Sequence, residues 1–410
     1  MIQVSDVLGW RPVRLADVAG LRFGATPSRN VPRYWSDANS GYAWASIADL
    51  RTSPVLKTAE RISESGVQSS SVSLIKAGTL LMSFKLTIGR VARAAIDLYT
   101  NEAIVAIEGR REQVDDRWLY HVLPGVANGA IVDQAVKGAT LNKSKLERLI
   151  LSLPPISEQR KIADVLDAID DAICSKERVI AKLERAKLGL IRDLIARHTG
   201  GGGSTHEGRT PEWQMLPLES VAEVSRGKFT ARPRNDPRYY GGEHPFIQTG
   251  DIVAAGDEPI LEASQSLNDL GASVSSCFPA GTIAVTIAAN IGDTATLGRP
   301  MYFPDSIVGV VVQQPHVGRF IELCLRLAKP LLEAGAPESA QKNINLQDLR
   351  PLLIPVPEPA EQHRIARAYE SFQVEVRSVR ASLEKQQAVK QGLVSDLLTG
   401  RVRVKADLAG

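Results

Sequence analysis

Apolar positions follow two different periods along this chain, and the change of period divides it into alternating segments. Two regions of about 140 residues contain short apolar and β-branched runs, such as residues 79–84 and 282–287, separated by Gly, Pro, Asn and Asp turns. These runs predict strands. Proline-rich turns at 154–155 and 355–359 then stop the last strand of each region, and helical spacing begins near Ser157 and Ala360.

Each helical segment carries a narrow apolar stripe whose spacing alternates between three and four residues. Lys176 and Lys187 occupy the two positions that the first stripe lacks. The helix-pairing residues are Leu166, Ile169, Ile173, Ile180, Leu183, Leu190 and Leu194 in the first stripe and Tyr369, Phe372, Val376, Val379, Leu383, Leu393 and Leu397 in the second. Such a stripe is typical of a coiled-coil seam, so we expect the helices, each roughly 60 Å long, to pair as an antiparallel coiled coil. The alternative is that each helix packs on its own globular domain.

The chain repeats itself at an offset of 203 residues. Aligned pairs include Lys76-Ala-Gly-Thr-Leu with Pro279-Ala-Gly-Thr-Ile, Ile88-Gly89 with Ile291-Gly292, Leu141-Asn142 with Ile344-Asn345, and Glu158-Gln159 with Glu361-Gln362. A period this long is not that of a solenoid, and it indicates a duplicated pair of domains.

The predicted fold class is therefore α+β, with two duplicated globular domains that are each followed by a long helix. The expected order is a first domain over 1–153, a first spacer helix over 154–199 and a Gly-rich flexible linker over 200–212. A second domain over 213–355, a second helix over 356–400 and a C-terminal tail over 401–410 follow.

Composition narrows the function without deciding it. The 410 residues are 44% hydrophobic and 23% charged, which is ordinary for a folded protein and argues against disorder. The net charge of +3 is compatible with a nucleic-acid partner but does not require one. Acidic residues outnumber basic ones in the second domain, so any DNA-binding surface there is local.

Several classes of site are excluded by missing motifs. The three cysteines include no Cys-x-x-Cys pair, which excludes a thiolate zinc site and fits a reducing, cytoplasmic location. There is no nucleotide phosphate loop, dinucleotide-binding fingerprint, H-E-x-x-H motif or Asn-Pro-Pro-aromatic methyltransferase motif. No signal peptide or membrane-spanning run is visible. We therefore expect no catalytic residue, no metal and no cofactor in this chain.

Three motifs carry a resemblance to a known family. The first is Gly24-Ala-Thr-Pro-Ser with Arg33-Tyr-Trp and Ile47-Ala-Asp-Leu, and the second is Arg232-Pro-Arg-Asn-Asp-Pro-Arg-Tyr-Tyr-Gly-Gly with Phe246-Ile-Gln-Thr-Gly-Asp. The third is Leu153-Pro-Pro-Ile-Ser-Glu-Gln-Arg-Lys-Ile at the start of the first long helix, with its counterpart before the second. Together they resemble the specificity subunits of type I restriction–modification systems over essentially the whole chain.

The resemblance implies a division of labour. Each recognition domain would read one half of a bipartite site on double-stranded DNA, and the paired helices would set the distance between the halves. Modification subunits, two in number by resemblance, would methylate adenine with S-adenosylmethionine. Restriction subunits with motor and nuclease activity, which use ATP, would complete a system for phage defence; without them the system would only methylate.

The candidate DNA-binding residues are donors clustered in loops, because phosphates and base edges are read by such groups. They are Arg22, Arg29, Arg33, Lys137, Asn142, Lys143 and Lys145 in the first half and Arg226, Lys228, Arg232, Arg234, Arg238, Gln341, Lys342 and Asn343 in the second. Tyr34, Trp35, Tyr239 and Tyr240 adjoin them. The alternative is that these are solvated loop charges without a ligand.

Two other functions stay open on the sequence alone. The chain could be a scaffold subunit with nonspecific DNA contacts, or a fused methyltransferase or nuclease whose motifs are unfamiliar. Methyl transfer by the purified chain would favour the enzyme, and equal binding to shuffled duplexes would favour the scaffold.

Overall fold

The computed structural model describes residues 9–37, 40–132, 141–199, 213–288, 290–335 and 343–404, without the side chains of 131, 132, 190 and 194–199. The chain forms two compact units. One contains Met1–Glu177 and Ser382–Gly410, and the other contains Arg178–Ala381. The units therefore do not follow the sequence boundaries of domains and spacer helices, since each includes part of both long helices.

The described residues of the first half of the chain form ten strands and five α-helices. The strands are β1 (Arg11–Arg14), β2 (Ala19–Phe23), β3 (Trp35–Ser36), β4 (Tyr42–Ala45), β5 (Glu60–Ile62), β6 (Leu80–Ser83), β7 (Val91–Arg93), β8 (Tyr99–Thr100), β9 (Ile104–Gly109) and β10 (Ile150–Leu153). The helices are α1 (Leu15–Val18), α2 (Glu64–Gln68), α3 (Asp116–Val132), α4 (Lys143–Glu147) and α5 (Ile156–Thr199).

The second half repeats this order. Its strands are β11 (Gln214–Pro217), β12 (Ala222–Arg226), β13 (Tyr240–Phe246), β14 (Gln265–Leu267), β15 (Cys277–Phe278), β16 (Ile283–Thr286), β17 (Thr294–Thr296), β18 (Met301–Tyr302), β19 (Ile307–Val312) and β20 (Leu353–Val356). Its helices are α6 (Thr249–Ala255), α7 (Asp269–Ser273), α8 (Gly318–Gly335), α9 (Leu346–Leu349) and α10 (Pro359–Leu397).

Two four-stranded sheets and a two-stranded ribbon build each recognition domain. In the first domain the orders are β2-β9-β6-β7, β3-β5-β4-β8 and β1-β10. In the second they are β12-β19-β16-β17, β14-β13-β18-β15 and β11-β20. The matching orders confirm the duplicated pair of domains.

The central strands are buried on both faces, which explains their uninterrupted apolar sequences. In β6, Leu80 and Met82 pack in one core cluster with Trp118 of α3, whereas Leu81 faces a second cluster with Leu50. Successive side chains of a strand point to opposite faces, so both faces of this sheet are covered. In β16, Val285 and Ala284 are divided between two clusters in the same way.

The sequence reading of each domain as short strands overlooked two helices. Helices α3 and α8 have 17 and 18 residues, and each contains an internal proline, Pro124 or Pro330. A proline inside an apolar segment ordinarily signals a break in a helix. Packing overrides that local signal, because Trp118, Phe320 and Ile321 are buried in the cores of their domains.

The long helices begin where the prolines predicted. Strand β10 ends at Leu153 and α5 begins at Ile156, while β20 ends at Val356 and α10 begins at Pro359. Proline is well tolerated at the first position of a helix because its missing N–H has no acceptor there.

The two helices run antiparallel, as the sequence predicted. In the first unit, Lys390 Nζ lies 2.5 Å from Asp170 Oδ1, and Lys176 of α5 bonds to the hydroxyl of Ser382 of α10. The contacts therefore advance along α5 as they move back along α10. In the second unit, Arg380 Nη2 lies 3.0 Å from Glu184 Oε1.

Each apolar stripe contacts the other long helix over part of its length and the core of a domain over another part. The predicted helix-pairing residues whose side chains are described are all buried or half-buried. Leu166 and Leu397 pack in the core cluster of the first domain, and Tyr369 packs in that of the second. These three positions are thus domain contacts as well as seam positions, and the side chains of Leu190 and Leu194 lie outside the described residues.

In the described part of the chain, no helix is both long and apolar enough to span a bilayer.

Candidate nucleic-acid interface

The first candidate loop leaves the central sheet of the first domain at Gly24. Its amide donates to the carbonyl of Ile104 at 3.1 Å, and the next amide, of Ala25, donates to Thr100 O at 2.9 Å. A Cβ atom at Gly24 would collide with backbone oxygens of residues 100 and 101. Glycine is therefore required here to hold the start of the loop against the strand beside it.

Arg29 is the best-supported donor of this loop. Its guanidinium lies 3.9 Å from the centroid of Trp35 and 4.9 Å from that of Trp44, and Nη2 donates to Glu60 Oε2 at 3.0 Å. The hydrogen bond to Glu60 raises the pKa of Arg29, so the cation is secure. Stacking on aromatic rings and a carboxylate partner hold the guanidinium plane in one orientation.

The two indoles are themselves anchored. Trp44 Nε1 donates to Ala25 O at 3.1 Å, Trp35 Nε1 donates to Ser28 O at 3.3 Å, and the rings meet edge to face at 5.1 Å. Arg29 therefore lies on a rigid aromatic platform, which suits a group that must meet a base edge or phosphate without a large loss of entropy.

The other predicted donors of the first domain have different surroundings. Arg22 pairs with Glu108 across β2 and β9, and the Arg33 guanidinium lies 5.6 Å from the Tyr34 ring. Lys143 Nζ lies 5.1 Å from the ring of Phe23, and Lys145, two residues further along α4, is exposed. Lys137 lies outside the described residues.

Asn142 has a structural task. Its Oδ1 accepts from the amide of Lys145 at 2.9 Å and caps α4. Asn345 caps α9 in the second domain, accepting from Asp348 N at 3.2 Å in the same way and also from Gln347 N at 2.7 Å. The aligned asparagines are thus explained by helix capping, a role that the sequence reading of Asn142 as a base reader did not include.

Two arginines of the second domain converge on one residue. Arg234 Nη2 lies 2.6 Å from a carboxylate oxygen of Asp305, and Arg226 donates to the backbone carbonyl of Asp305. Arg232 instead donates to the carbonyls of Phe229 and Ala231 at 3.0 and 2.7 Å, which ties it to its own loop.

The other predicted donors of this domain have different surroundings. Arg238 bonds to Asp236 two residues earlier, and the Lys228 side chain is exposed. Asn343 forms a backbone bridge with Ala288, whereas Gln341 and Lys342 lie outside the described residues.

A cavity of about 580 Å³ opens beside Arg234 in the second domain. Phe229, Tyr240 and Phe246 supply an aromatic wall with ring centroids 5.2–6.2 Å apart. Burial raises the pKa of Tyr240, which stays a neutral phenol and donates to Arg234 O at 2.5 Å. The cavity is open to solvent.

Two glutamines on the cavity wall were not among the sequence candidates. Gln248 precedes α6, its backbone amide donates to Asp251 Oδ2 at 2.7 Å, and its Nε2 donates to Gln265 Oε1 at 3.2 Å. The second bond orients the carboxamide of Gln265, which has donor and acceptor atoms suited to adenine. Gln248 lies within the motif Phe246-Ile-Gln-Thr-Gly-Asp, which was the available signal, but nothing local marks Gln265.

The helix-start motif has a physical explanation in both domains. Gln159 is fully buried, and its carboxamide accepts from Asp115 N at 2.9 Å and donates to Pro154 O at 2.8 Å. Gln362 repeats these bonds with Val317 N and Pro357 O at 2.9 and 2.8 Å. Each glutamine joins the start of a long helix to the loop before α3 or α8, satisfying backbone groups that burial would leave unpaired.

Among the described residues, no group of three His, Cys, Asp or Glu side chains is arranged to hold a metal ion. Burial raises the pKa of the Cys324 thiol and lowers that of His121, so both stay neutral. Neither group is prepared to act as a nucleophile or as a cation at neutral pH.

Comparison with known proteins gives a consistent result. A family model described as the type I restriction modification DNA specificity domain matches twice, over residues 8–185 and 211–381. The chain is 23% identical over 271 residues to the type I restriction enzyme MjaIX specificity subunit of Methanocaldococcus jannaschii, covering 64% of this chain and 61% of that relative. It is 24% identical over 334 residues to the EcoBI specificity subunit of Escherichia coli, covering 74% and 68%.

The fold is shared with a solved structure. The type I restriction–modification S subunit from M. genitalium matches with a TM-score of 0.55 and 12% identity, over 96% of this chain and 97% of that one. At that identity the likeness concerns the fold. The chain spans less than two thirds of the length of the MjaIX relative.

Proposed function

Because the chain belongs to the family of type I restriction modification DNA specificity domains, we propose that it is the non-catalytic subunit that reads the DNA target of such a system. The observation that carries the proposal is the pair of donor clusters that follow equivalent strands, β2 and β12, in the two domains. Each cluster combines arginine with aromatic side chains, the combination that nucleic-acid surfaces use.

In this function each domain reads one half of a bipartite site. In the first domain Arg29 presents a guanidinium already oriented by Trp35 and Glu60. In the second, Arg234 and Gln265 line one open cavity. Arginine pairs bidentately with guanine and glutamine with adenine, so we expect the two half-sites to differ in sequence.

The partners follow from the same proposal. Modification subunits, two of them by analogy, supply adenine methylation with S-adenosylmethionine, and restriction subunits supply ATP-driven translocation and cleavage. The antiparallel helices set the separation of the half-sites. The complex works where the chromosome is, in the cytoplasm.

The direct test is a map of methylated adenines in a host that expresses this chain with its modification subunits. We expect one bipartite sequence with a fixed spacer. Arg29→Ala should lower the methylation rate at sites carrying the first half-site by about tenfold to a hundredfold, the discrimination carried by one bidentate contact. Arg234→Ala should act on the second half-site alone.

Matched controls separate base reading from loss of charge. Arg51 and Arg299 are exposed arginines of the same two domains outside the donor clusters, and Arg51→Ala and Arg299→Ala should leave the map unchanged. Methylation by the chain without modification subunits would instead show an enzyme. An unchanged map for both cluster variants would show that these loops do not read DNA.

A further inference from the structure

Leu86 has an exposure and a backbone conformation that core packing does not explain. The side chain is 90% exposed, and its φ is +61°. It is the only non-glycine residue with positive φ in the described part of the chain. A leucine is disfavoured in water and in the left-handed region alike, so two unfavourable features coincide at one position.

The loop around Leu86 is held in place. Between β6 and β7, the Ser83 hydroxyl bonds to the carbonyl of Thr87 and accepts from Arg90 N at 3.2 Å. Gly89, with φ of +78°, donates its amide to Ser83 O at 2.9 Å. The hydroxyl thus closes the loop across its base, and Leu86 is presented at its tip.

This tip lies beside the donor cluster of the first domain. Phe84 donates its amide to Ala103 O at 2.9 Å, next to the strand that holds Gly24. The Phe84 ring meets that of Phe23 edge to face at 5.5 Å, and Lys143 Nζ lies 5.1 Å from Phe23. Lys85 Nζ lies 5.6 Å from Phe84.

A single carboxylate links the tip to the aromatic platform. The hydrogen bond from Thr26 lowers the pKa of Glu102, and the charges of Lys85 and Arg29 lower it further. Both cations are therefore within electrostatic reach of Glu102. Leu86 directly follows Lys85 in the sequence.

The second domain has the same closure of this loop by a hydroxyl group, but it has no leucine at the equivalent position. In the second domain the Thr286 hydroxyl bonds to Asn290 O and accepts from Asp293 N at 3.0 Å, as Ser83 does at the same offset. The sequence there is Ile287-Ala288-Ala289-Asn290, with alanine aligned to Leu86 and to Lys85. Residue 289 lies outside the described residues. The loop closure therefore does not itself require a leucine.

We infer that Leu86 is an apolar wedge that enters a base step of the DNA at or beside the first half-site. This rests on the proposed function, since it assigns one residue of that same surface. Apolar wedges unstack a base step and kink the duplex, while neighbouring lysines bind the flanking phosphates. Burial between bases removes the leucine from water, and the closed loop delivers it without reordering.

A protein partner fits this feature less well. Within residues 79–95, Leu86 is the only large apolar side chain that is largely exposed, and lysine adjoins it. A stable protein interface needs about 800 Å² on each side with a depleted content of lysine. One leucine among cations matches a wedge for a polyanion.

The test uses the chain assembled with its modification subunits and duplexes in which 2-aminopurine scans the first half-site and its flanks. Its fluorescence rises when stacking is lost. For the wild type we expect a rise at one step, together with tight binding. Leu86→Ala, which copies the second domain, and Leu86→Asn should remove the rise and weaken binding by about tenfold, the effect of exposing a buried leucine. Leu86→Met should retain both.

The variant Leu86→Asn separates a wedge from a folding role, because asparagine tolerates the left-handed region. This variant should unfold at or above the melting temperature of the wild type. Leu56, an exposed leucine of the same domain, supplies the control Leu56→Asn, which should leave binding and fluorescence unchanged. Wild-type fluorescence and affinity in Leu86→Asn would overturn the proposal, and so would loss of modification subunits from that variant. Absence of any bipartite methylated site in the wild type would sink the proposed function itself.

Discussion

Removal of Arg403 should destabilise the first unit through a residue 245 positions away. The carboxylate of Glu158 is only 4% exposed and accepts three hydrogen bonds. Arg403 supplies two of them, from Nε at 2.7 Å and Nη2 at 2.8 Å, and Trp10 Nε1 supplies the third at 3.0 Å. This fork-like pairing raises the pKa of Arg403. The predicted C-terminal tail is thus partly a structural segment.

The loss of stability depends on how the Glu158 carboxylate is solvated and bonded once Arg403 is removed. Breaking a buried ion pair from one side costs about 3–5 kcal/mol, whereas an exposed pair is worth about 1 kcal/mol or less. The Arg403 side chain is 38% exposed, so water reaches the vacated position, and Trp10 remains as a donor. We therefore expect Arg403→Ala to lower the free energy of unfolding by about 2–3 kcal/mol. In a unit of about 200 residues this is a fall in Tm of roughly 5–10 °C.

The assay is thermal unfolding of the full chain, with Arg401→Ala as the matched control. Arg401 is 67% exposed and pairs with Asp396, so its removal should cost less than about 0.5 kcal/mol. Adding Glu158→Gln to Arg403→Ala should recover about 1 kcal/mol by removing the unpaired charge. Equal melting temperatures for the two single variants would refute the reasoning.

Three further outcomes are expected. Gln265→Leu should relax recognition at one base pair of the second half-site, by about tenfold, leaving chain stability unchanged; a methylation map identical to wild type would contradict this. The free energy of unfolding should fall as the pH drops below about 6.5, because burial lowers the pKa of His121 and protonation then favours the unfolded chain. The variant His121→Gln should show a weaker dependence on pH in thermal melts at several pH values. A chain ending at residue 202 should form a dimer in analytical ultracentrifugation. Lys187 aligns with Lys390 in the repeat, so Lys187 of one copy can lie beside Asp170 of the second copy, where Lys390 lies in the full chain. A monomer at tens of micromolar would contradict this prediction.

The spacing of apolar residues and the positions of the prolines were enough to predict the long helices. The spacing of three and four residues predicted both long helices, and the prolines placed their starts within one residue of Ile156 and Pro359. The offset of 203 predicted the matching sheets. These features are local or repetitive, which is the kind of information a single sequence carries.

Pairings between distant segments were beyond such reasoning. Lys187 interrupts an apolar stripe, yet it is 3% exposed and lies 2.6 Å from both Glu184 and Asp257. Arg29 meets Glu60, and Arg234 meets Asp305, across separations that no short motif spans. A burial penalty is avoided in each case by a partner that only the fold brings near.

The contact of Trp10 and Arg403 with one carboxylate has a consequence for gene architecture. Trp10 and Arg403 both bond to Glu158, so these two residues lie close together in the first unit. A peptide that links the segments carrying Trp10 and Arg403, with a cut in the Gly-rich segment 200–212, should keep the contacts within each unit while reversing the order in which the two readers are translated. Folding would then not depend on the order of the two halves in the gene, and circularly permuted genes should encode working subunits.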